Sequence, residues 1–312
     1  MAKQAAVGAE AVEKKGWFGA HKWLILRRIS QLGILGVFLV SPLLVDRFDG
    51  VWLVKGNLAS SMTLDVLPLT DPHLLLQAVL AGVKPHQDAI VGVVIVVLFY
   101  LLVGGRVFCS WVCPVNIITD AAAWLRRRLG IKGGAQIDRS TRYWMLGLTL
   151  VLPLATGAIV WELFNPVSMA FRGILFGMGL AWLILLGVFL FDLFVSREGW
   201  CGRLCPVGAF YGLLGRFSLL RVVAVQRDRC DDCMDCFAVC PEQKVIRPAL
   251  KGADKGLGPV ILAGECTNCG RCIDVCAEDV FQFGSRFSKE KSSDNTGETR
   301  RKDGDRPFSD AA

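Results

Sequence analysis

Eight of the twelve cysteines fall in two runs of one spacing: Cys230-Asp-Asp-Cys233-Met-Asp-Cys236-Phe-Ala-Val-Cys240 and Cys266-Thr-Asn-Cys269-Gly-Arg-Cys272-Ile-Asp-Val-Cys276. C-x2-C-x2-C-x3-C is the pattern of two-cluster iron–sulfur domains, in which one loop wraps three thiolates around a cubane. The fourth Cys reaches across to the other cluster. The expected ligand sets are Cys230, Cys233, Cys236 and Cys276 for cluster 1, and Cys266, Cys269, Cys272 and Cys240 for cluster 2. Structural zinc sites use paired CxxC ligands and do not need a third Cys at the same interval. Two 4Fe–4S clusters held so close together suit the passage of single electrons. Ala277 stands where the first run has Pro241, and the segment Glu242–Glu265 between the runs is long. Neither departure removes a ligand.

The remaining four cysteines form two pairs. Cys109-Ser-Trp-Val-Cys113-Pro114-Val115 recurs as Cys201-Gly-Arg-Leu-Cys205-Pro206-Val207, an internal repeat that points to an ancient duplication. An i, i+4 spacing on a helical turn puts both thiols of a pair on one face. Arg106 and Arg203 would favour the thiolate, the form that exchanges electrons or binds metal. Two chemistries stay open for Cys109, Cys113, Cys201 and Cys205. One is reversible dithiol exchange, and the other is joint ligation of a further metal or cluster by all four. A secreted disulfide framework does not fit this grouping.

Around these motifs the chain is 53% hydrophobic, with a mean hydropathy of +0.45. Apolar runs suited to the roughly 30 Å hydrocarbon layer occur at Trp23–Val45, Ala89–Phe108, Tyr143–Trp161 and Gly173–Val195. The fold class expected is a membrane α-helical bundle of four transmembrane helices in two pseudo-repeats, followed by a C-terminal two-cluster α+β domain. Its parts would be an N-terminal segment (1–22), a four-helix domain (23–221), an iron–sulfur domain (222–287) and a disordered tail (288–312). Lys14, Lys15, Lys22, Arg27 and Arg28 precede the first run. Arg126, Arg127, Arg128, Lys132, Arg139 and Arg142 lie between the second and third, and Arg197, Arg203, Arg216 and Arg221 follow the fourth. The other two loops carry only Arg47, Lys55, Lys84 and Arg172, so the positive-inside rule places both termini in the cytoplasm. The net charge of +7 reads as topology, and no nucleic-acid-binding motif accompanies it.

Ser61–Val83 is apolar but holds Asp65, Pro68, Asp71, Pro72 and His73, and is expected outside the hydrocarbon layer. It should end in a short helix capped by Thr70 or Asp71 with Pro72 in its first turn, and Asn165-Pro166 repeats that arrangement. Asp192 and Arg106 sit at matching depth and are expected to pair. Glu162 and His73 are the expected proton acceptors of a quinol site, because quinol oxidation releases two protons with its two electrons.

The chain resembles the NapH-type polyferredoxin membrane proteins, quinol dehydrogenase components of periplasmic nitrate reductase systems. The likeness runs from Glu13-Lys-Lys-Gly-Trp17 and Leu26-Arg-Arg28 through Pro68-Leu-Thr-Asp-Pro72, Phe108-Cys-Ser-Trp-Val-Cys-Pro114, Trp161-Glu162 and Asn165-Pro-Val167. It continues in Gly199-Trp-Cys201, Cys233-Met-Asp-Cys236, Cys272-Ile-Asp-Val-Cys276 and Glu278-Asp-Val280. The resemblance implies a protein of the bacterial inner membrane that draws electrons from ubiquinol or menaquinol toward nitrate reduction. It implies a periplasmic NapG-like iron–sulfur partner, with a membrane-anchored multihaem cytochrome and the nitrate reductase beyond it. Similar proteins of methylamine utilisation and copper reduction leave a second role open: a cytoplasm-fed reductase that matures or repairs a periplasmic metalloenzyme.

Overall fold

The computed structural model describes residues 7–44, 53–131, 133–177, 179 and 181–288. Beyond its first residue, the expected disordered tail lies outside the described residues. Helix α1 (Ala9–Ala20) leads into α2 (Lys22–Leu44), the first apolar helix. The backbone amides of Trp23 and Leu24, which have no partner within α2, donate to the two carboxylate oxygens of Asp274 at 3.1 and 3.0 Å. The start of α2 is thus capped from the far end of the chain.

Strands β1 (Val54–Gly56), β2 (Ser60–Thr63) and β3 (Leu67–Thr70) form an antiparallel sheet in that order, with Lys55 opposite Met62 and Ser61 opposite Leu69. Helix α3 (Pro72–Leu80) follows, and the sheet packs along α4 (Gln87–Val103). Gly92 makes that approach possible, since a Cβ there would meet the Thr70 backbone nitrogen at 3.0 Å. Of the two expected caps for α3, Asp71 is the one used: its carboxylate accepts from the His73 amide at 3.0 Å, and Pro72 occupies the first turn.

After α4 the chain makes a five-residue π turn (Phe108–Val112) and enters α5 (Val115–Arg128). Then come α6 (Thr141–Thr156), the short α7 (Trp161–Phe164), α8 (Pro166–Phe176) and α9 (Ala181–Leu190). Asn165 caps α8 by accepting from the Val167 amide at 3.1 Å, ahead of Pro166. Past α9, a π turn at Trp200–Leu204 leads into α10 (Pro206–Gly215). The duplication seen in the cysteine motifs recurs in the backbone: Cys113 N donates to Phe108 O, and Cys205 N to Trp200 O, both at 2.9 Å and both i to i−5.

Four apolar helices lie where four spans were expected, but among the described residues only the stretch Ala9–Pro42 is long and apolar enough to cross a membrane. Helix α4 has 17 residues, or about 26 Å at 1.5 Å per residue, against a layer of about 30 Å. Glycines at positive φ and a π turn cut these helices short. Gly104 ends α4 at φ +130°, Gly157 ends α6 at φ +66°, and α9 gives way to a π turn at Phe191–Val195.

The iron–sulfur domain is built on β4 (Leu220–Ala224) and β5 (Phe281–Ser285), antiparallel with Val222 opposite Phe283. Short helices α11 (Asp235–Val239), α12 (Ile246–Lys251) and α13 (Arg271–Asp274) lie between the strands. Val222, Ala224, Ile246, Ile261, Val280 and Phe281 form its buried core around Cys236 and Cys272. Gly264 sets its place against the helices: a Cβ there would sit 2.1 Å from Gly212 O, so the chain before the second cysteine run lies directly on α10.

Candidate functional site

The π turns at Phe108–Val112 and Trp200–Leu204 place Cys109, Cys113, Cys201 and Cys205 around one cavity of about 620 Å³. All four are free thiols. Burial pushes each of them up, Cys205 to about 12, although Arg106 pulls Cys205 and Cys109 the other way. The expectation that basic neighbours favour thiolate is thus corrected. Desolvation outweighs Arg106, and these thiols ionise readily only when a bound cation compensates them. Four thiols on one cavity fit a metal cluster in their donor chemistry.

A second cavity, of about 370 Å³, is lined by Cys240, Cys266, Cys269 and Cys272. Cys230, Cys233 and Cys276 are the cysteines whose charges act on Cys236, so they share its surroundings. Cys233 is exposed, whereas Cys236 and Cys272 are buried. Among the described residues no three Cys, His, Asp or Glu side chains stand close enough to hold a single metal ion. A cubane spreads its ligand sulfurs over four irons, and so needs them farther apart than one ion does.

The loop of the second cysteine run is fastened to the first π turn. Ser110 Oγ donates to Thr267 O at 2.7 Å, and Trp111 Nε1 donates to Asn268 O at 3.1 Å. Arg106 bridges the two cavities, donating to Glu265 O at 3.0 Å and to Cys201 O at 2.9 Å. It does not pair with Asp192. Its acidic neighbour is Glu242, at 3.9 Å, whose carboxylate also meets Arg139 at 2.9 Å, Arg142 at 3.4 Å and Arg203 at 3.9 Å. Asp192 instead accepts from the Trp200 amide at 2.9 Å and so holds the start of the second π turn. Sequence reasoning missed Glu242 because its four arginine partners come from three separate segments. The one local signal was its place directly after Cys240-Pro241.

A second ionic group joins the domains. Arg271, between Cys269 and Cys272, pairs with Asp120 of α5 and lies 3.6 Å from Glu198. Asp120 also meets Arg28 at 2.5 Å and Arg27 at 3.6 Å. Burial alone would raise the Asp120 pKa, but Arg271, Arg27 and Arg28 outweigh it and hold the carboxyl below its ordinary value.

Of the two expected proton acceptors, His73 is fully buried, with Nε2 3.2 Å from Thr149 Oγ1 and Nδ1 3.1 Å from Gln77 Nε2. Burial lowers its pKa to about 4. Glu162 Oε2 accepts from Asn165 Nδ2 at 3.3 Å. Neither is among the residues lining the thiol cavity. Asp71, Asn165 and Trp161 are. Asp71 Oδ1 accepts from Tyr211 OH at 3.2 Å, and burial, helped by Glu162, raises its pKa to about 6.

A 4Fe-4S binding domain family matches residues 85–132 and 178–222, the two segments that carry the paired cysteines. A 4Fe-4S dicluster domain family matches residues 229–280. The chain is 52% identical over 282 residues to the methylamine utilization ferredoxin-type protein MauN of Methylorubrum extorquens, covering 90% of this chain and 96% of that one. It is 48% identical to the ferredoxin-type protein NapH of Escherichia coli, again over 282 residues and the same shares. To NapH of Haemophilus influenzae it is 47% identical over 281 residues, 90% of this chain and 96% of the relative. No solved structure matches the chain.

Proposed function

The chain belongs to the NapH/MauN family of ferredoxin-type iron–sulfur electron-transport proteins, and on that premise we propose that it is the membrane-embedded electron-transfer component of a quinol dehydrogenase. Cys230, Cys233, Cys236 and Cys276 would hold cluster 1, and Cys240, Cys266, Cys269 and Cys272 cluster 2. Cys109, Cys113, Cys201 and Cys205 would together hold a further cluster, the reading favoured by their common cavity over thiol exchange within each pair. Bound clusters would supply one-electron carriers; the rest is the work of the chain itself. The carrying observation is the direct fastening of the second run to the Cys109 segment through Arg106, Ser110 and Trp111, which ties the linings of the two cysteine cavities together.

Electrons would pass between the quinone pool and cluster 1 through the helical domain, with delivery toward periplasmic nitrate reduction by a NapG-like partner. Exposed apolar side chains, among them Ile90, Val94, Leu98, Leu148, Val151 and Leu186, support a bilayer around α4, α6 and α9. Both termini would then face the cytoplasm. Anaerobic EPR redox titration of the detergent-extracted protein tests the reading. Reduction of the clusters by a quinol analogue supports it, and reduction only by a low-potential donor overturns it.

One observation favours the second role, that of a cytoplasm-fed reductase for a periplasmic metalloenzyme. Cys233 and its neighbours Asp231, Asp232 and Met234 are exposed, where a soluble donor can reach them. In that role Cys109→Ser and Cys201→Ser abolish activation of the partner, while quinol leaves the clusters oxidised.

A further inference from the structure

The thiol cavity has a second wall, made not by cysteines but by the capped starts of α3 and α8 and the segment before α8. Asp71 and Asn165 occupy equivalent places in the two repeats, each the cap of a helix that begins with Pro. Asn165 is fully engaged: Oδ1 accepts from Val167 N, and Nδ2 donates to Glu162 and Ser168. Asp71 is not. Its Oδ1 takes the His73 amide and the Tyr211 hydroxyl, and Oδ2 has no hydrogen bond among the described residues. Trp161, on the same wall, is 7% exposed, and its indole N–H has no partner. A buried N–H left unpaired costs about 1–3 kcal/mol, so an orphan donor beside a cavity marks a missing acceptor.

We infer that this wall is the head-group site of a para-quinol, in which Asp71 accepts from one ring hydroxyl and Trp161 Nε1 donates to the opposite oxygen. The chemistry selects the class. The ligand needs a polar oxygen at each of two opposed ends, one able to donate and one able to accept, on a ring that tolerates a wall of Leu58, Phe108, Pro166 and Val207. The arrangement also explains the asymmetry of the repeats. Only the acidic cap can accept from a hydroxyl without offering a competing N–H, and Tyr211, packed 5.3 Å from Phe108 ring to ring, holds its carboxylate in place. The site rests on the quinol dehydrogenase reading and moves its proton acceptor from Glu162 and His73 to Asp71.

The test is anaerobic binding of decylubiquinol to the detergent-extracted full chain with its clusters already reduced, followed by quenching of tryptophan fluorescence and checked by displacement, with iron content and EPR spectra recorded for every variant. Asn caps helices as well as Asp, so Asp71→Asn keeps α3, and Trp161→Phe keeps the ring. Each is expected to weaken binding about tenfold, the loss of one buried hydrogen bond, with iron content unchanged. Glu162→Gln is expected to bind as the parent does. If the parent binds and Glu162→Gln alone weakens binding, or neither Asp71→Asn nor Trp161→Phe does, the site is overturned while the dehydrogenase reading stands. If the parent with intact clusters does not bind the quinol, both fall.

Discussion

The two cysteine runs share one ligand spacing and have opposite surroundings. In the first, the residues between ligands are Asp231, Asp232, Met234 and Asp235, and three of the four are exposed. In the second they are Thr267, Asn268, Gly270 and Arg271, and these hold the helical domain. Thr267 O accepts from Ser110, Asn268 donates to Val103 O, and Arg271 pairs with Asp120. Gly270 lies so close to Trp23 that a Cβ would meet its ring carbon at 2.6 Å. The cysteines decide what is bound, and the residues between them decide what the bound group faces.

Removing one ligand from each run is the strongest way to test this contrast. Cys269→Ser should lose about half of the iron–sulfur signal of the domain and cut quinol-driven reduction of cluster 1 to background, read by iron analysis and EPR. Cys233→Ser should lose a similar share of iron yet leave cluster 2 reducible by quinol. Equal behaviour of the two variants would dissolve the difference between the runs.

Next in size is Arg271→Ala. It leaves Asp120 and Glu198 buried with fewer partners and should destabilise the docked state by about 3–5 kcal/mol, seen as a lower Tm and earlier proteolytic release of the iron–sulfur domain. Asn268→Ala strands two backbone carbonyls, at 3.1 and 2.9 Å in the parent, and should cost about 1–3 kcal/mol in the same assays. Smallest is Asp232→Ala in the first run. Its partner Lys251 is itself exposed, and Tm should shift by no more than about 0.5 kcal/mol allows. A large effect there would mean that the exposed run is already covered by a partner in the purified protein.

Much of the site is legible in the sequence because its chemistry is local. Cysteine spacing groups the thiols, and Asp71-Pro72 and Asn165-Pro166 announce the two capped helices that the structure contains. The repeated Cys-x3-Cys-Pro motif predicts matching turns, and the backbone supplies matching π turns. What escapes the sequence is pairing at long range. Arg106 and Asp192 share a depth, which suggested a pair, but Arg106 faces Glu242 from the iron–sulfur domain, and Asp192 serves the nearby Trp200 amide. His73 looked like a proton acceptor by residue type, yet α3 turns it toward Thr149, two positions past the carboxylate that does line the cavity. Helix ends were the other blind spot. Apolar runs show where a helix is favoured, while Gly104 and Gly157 decide where it stops.

The cap on α2 has a consequence in time. A ribosome makes Trp23 and Leu24 early and Asp274 late, and the two ends meet across 251 and 250 positions. The first apolar helix therefore leaves the translation machinery with its leading amides unsatisfied, and water or a chaperone must serve them until the last cysteine loop has closed. Because Asp274 lies between Cys272 and Cys276, arrival of iron and sulfide and completion of the oldest part of the molecule become one event. A chain starved of iron would be left open at its beginning, where quality control can find it.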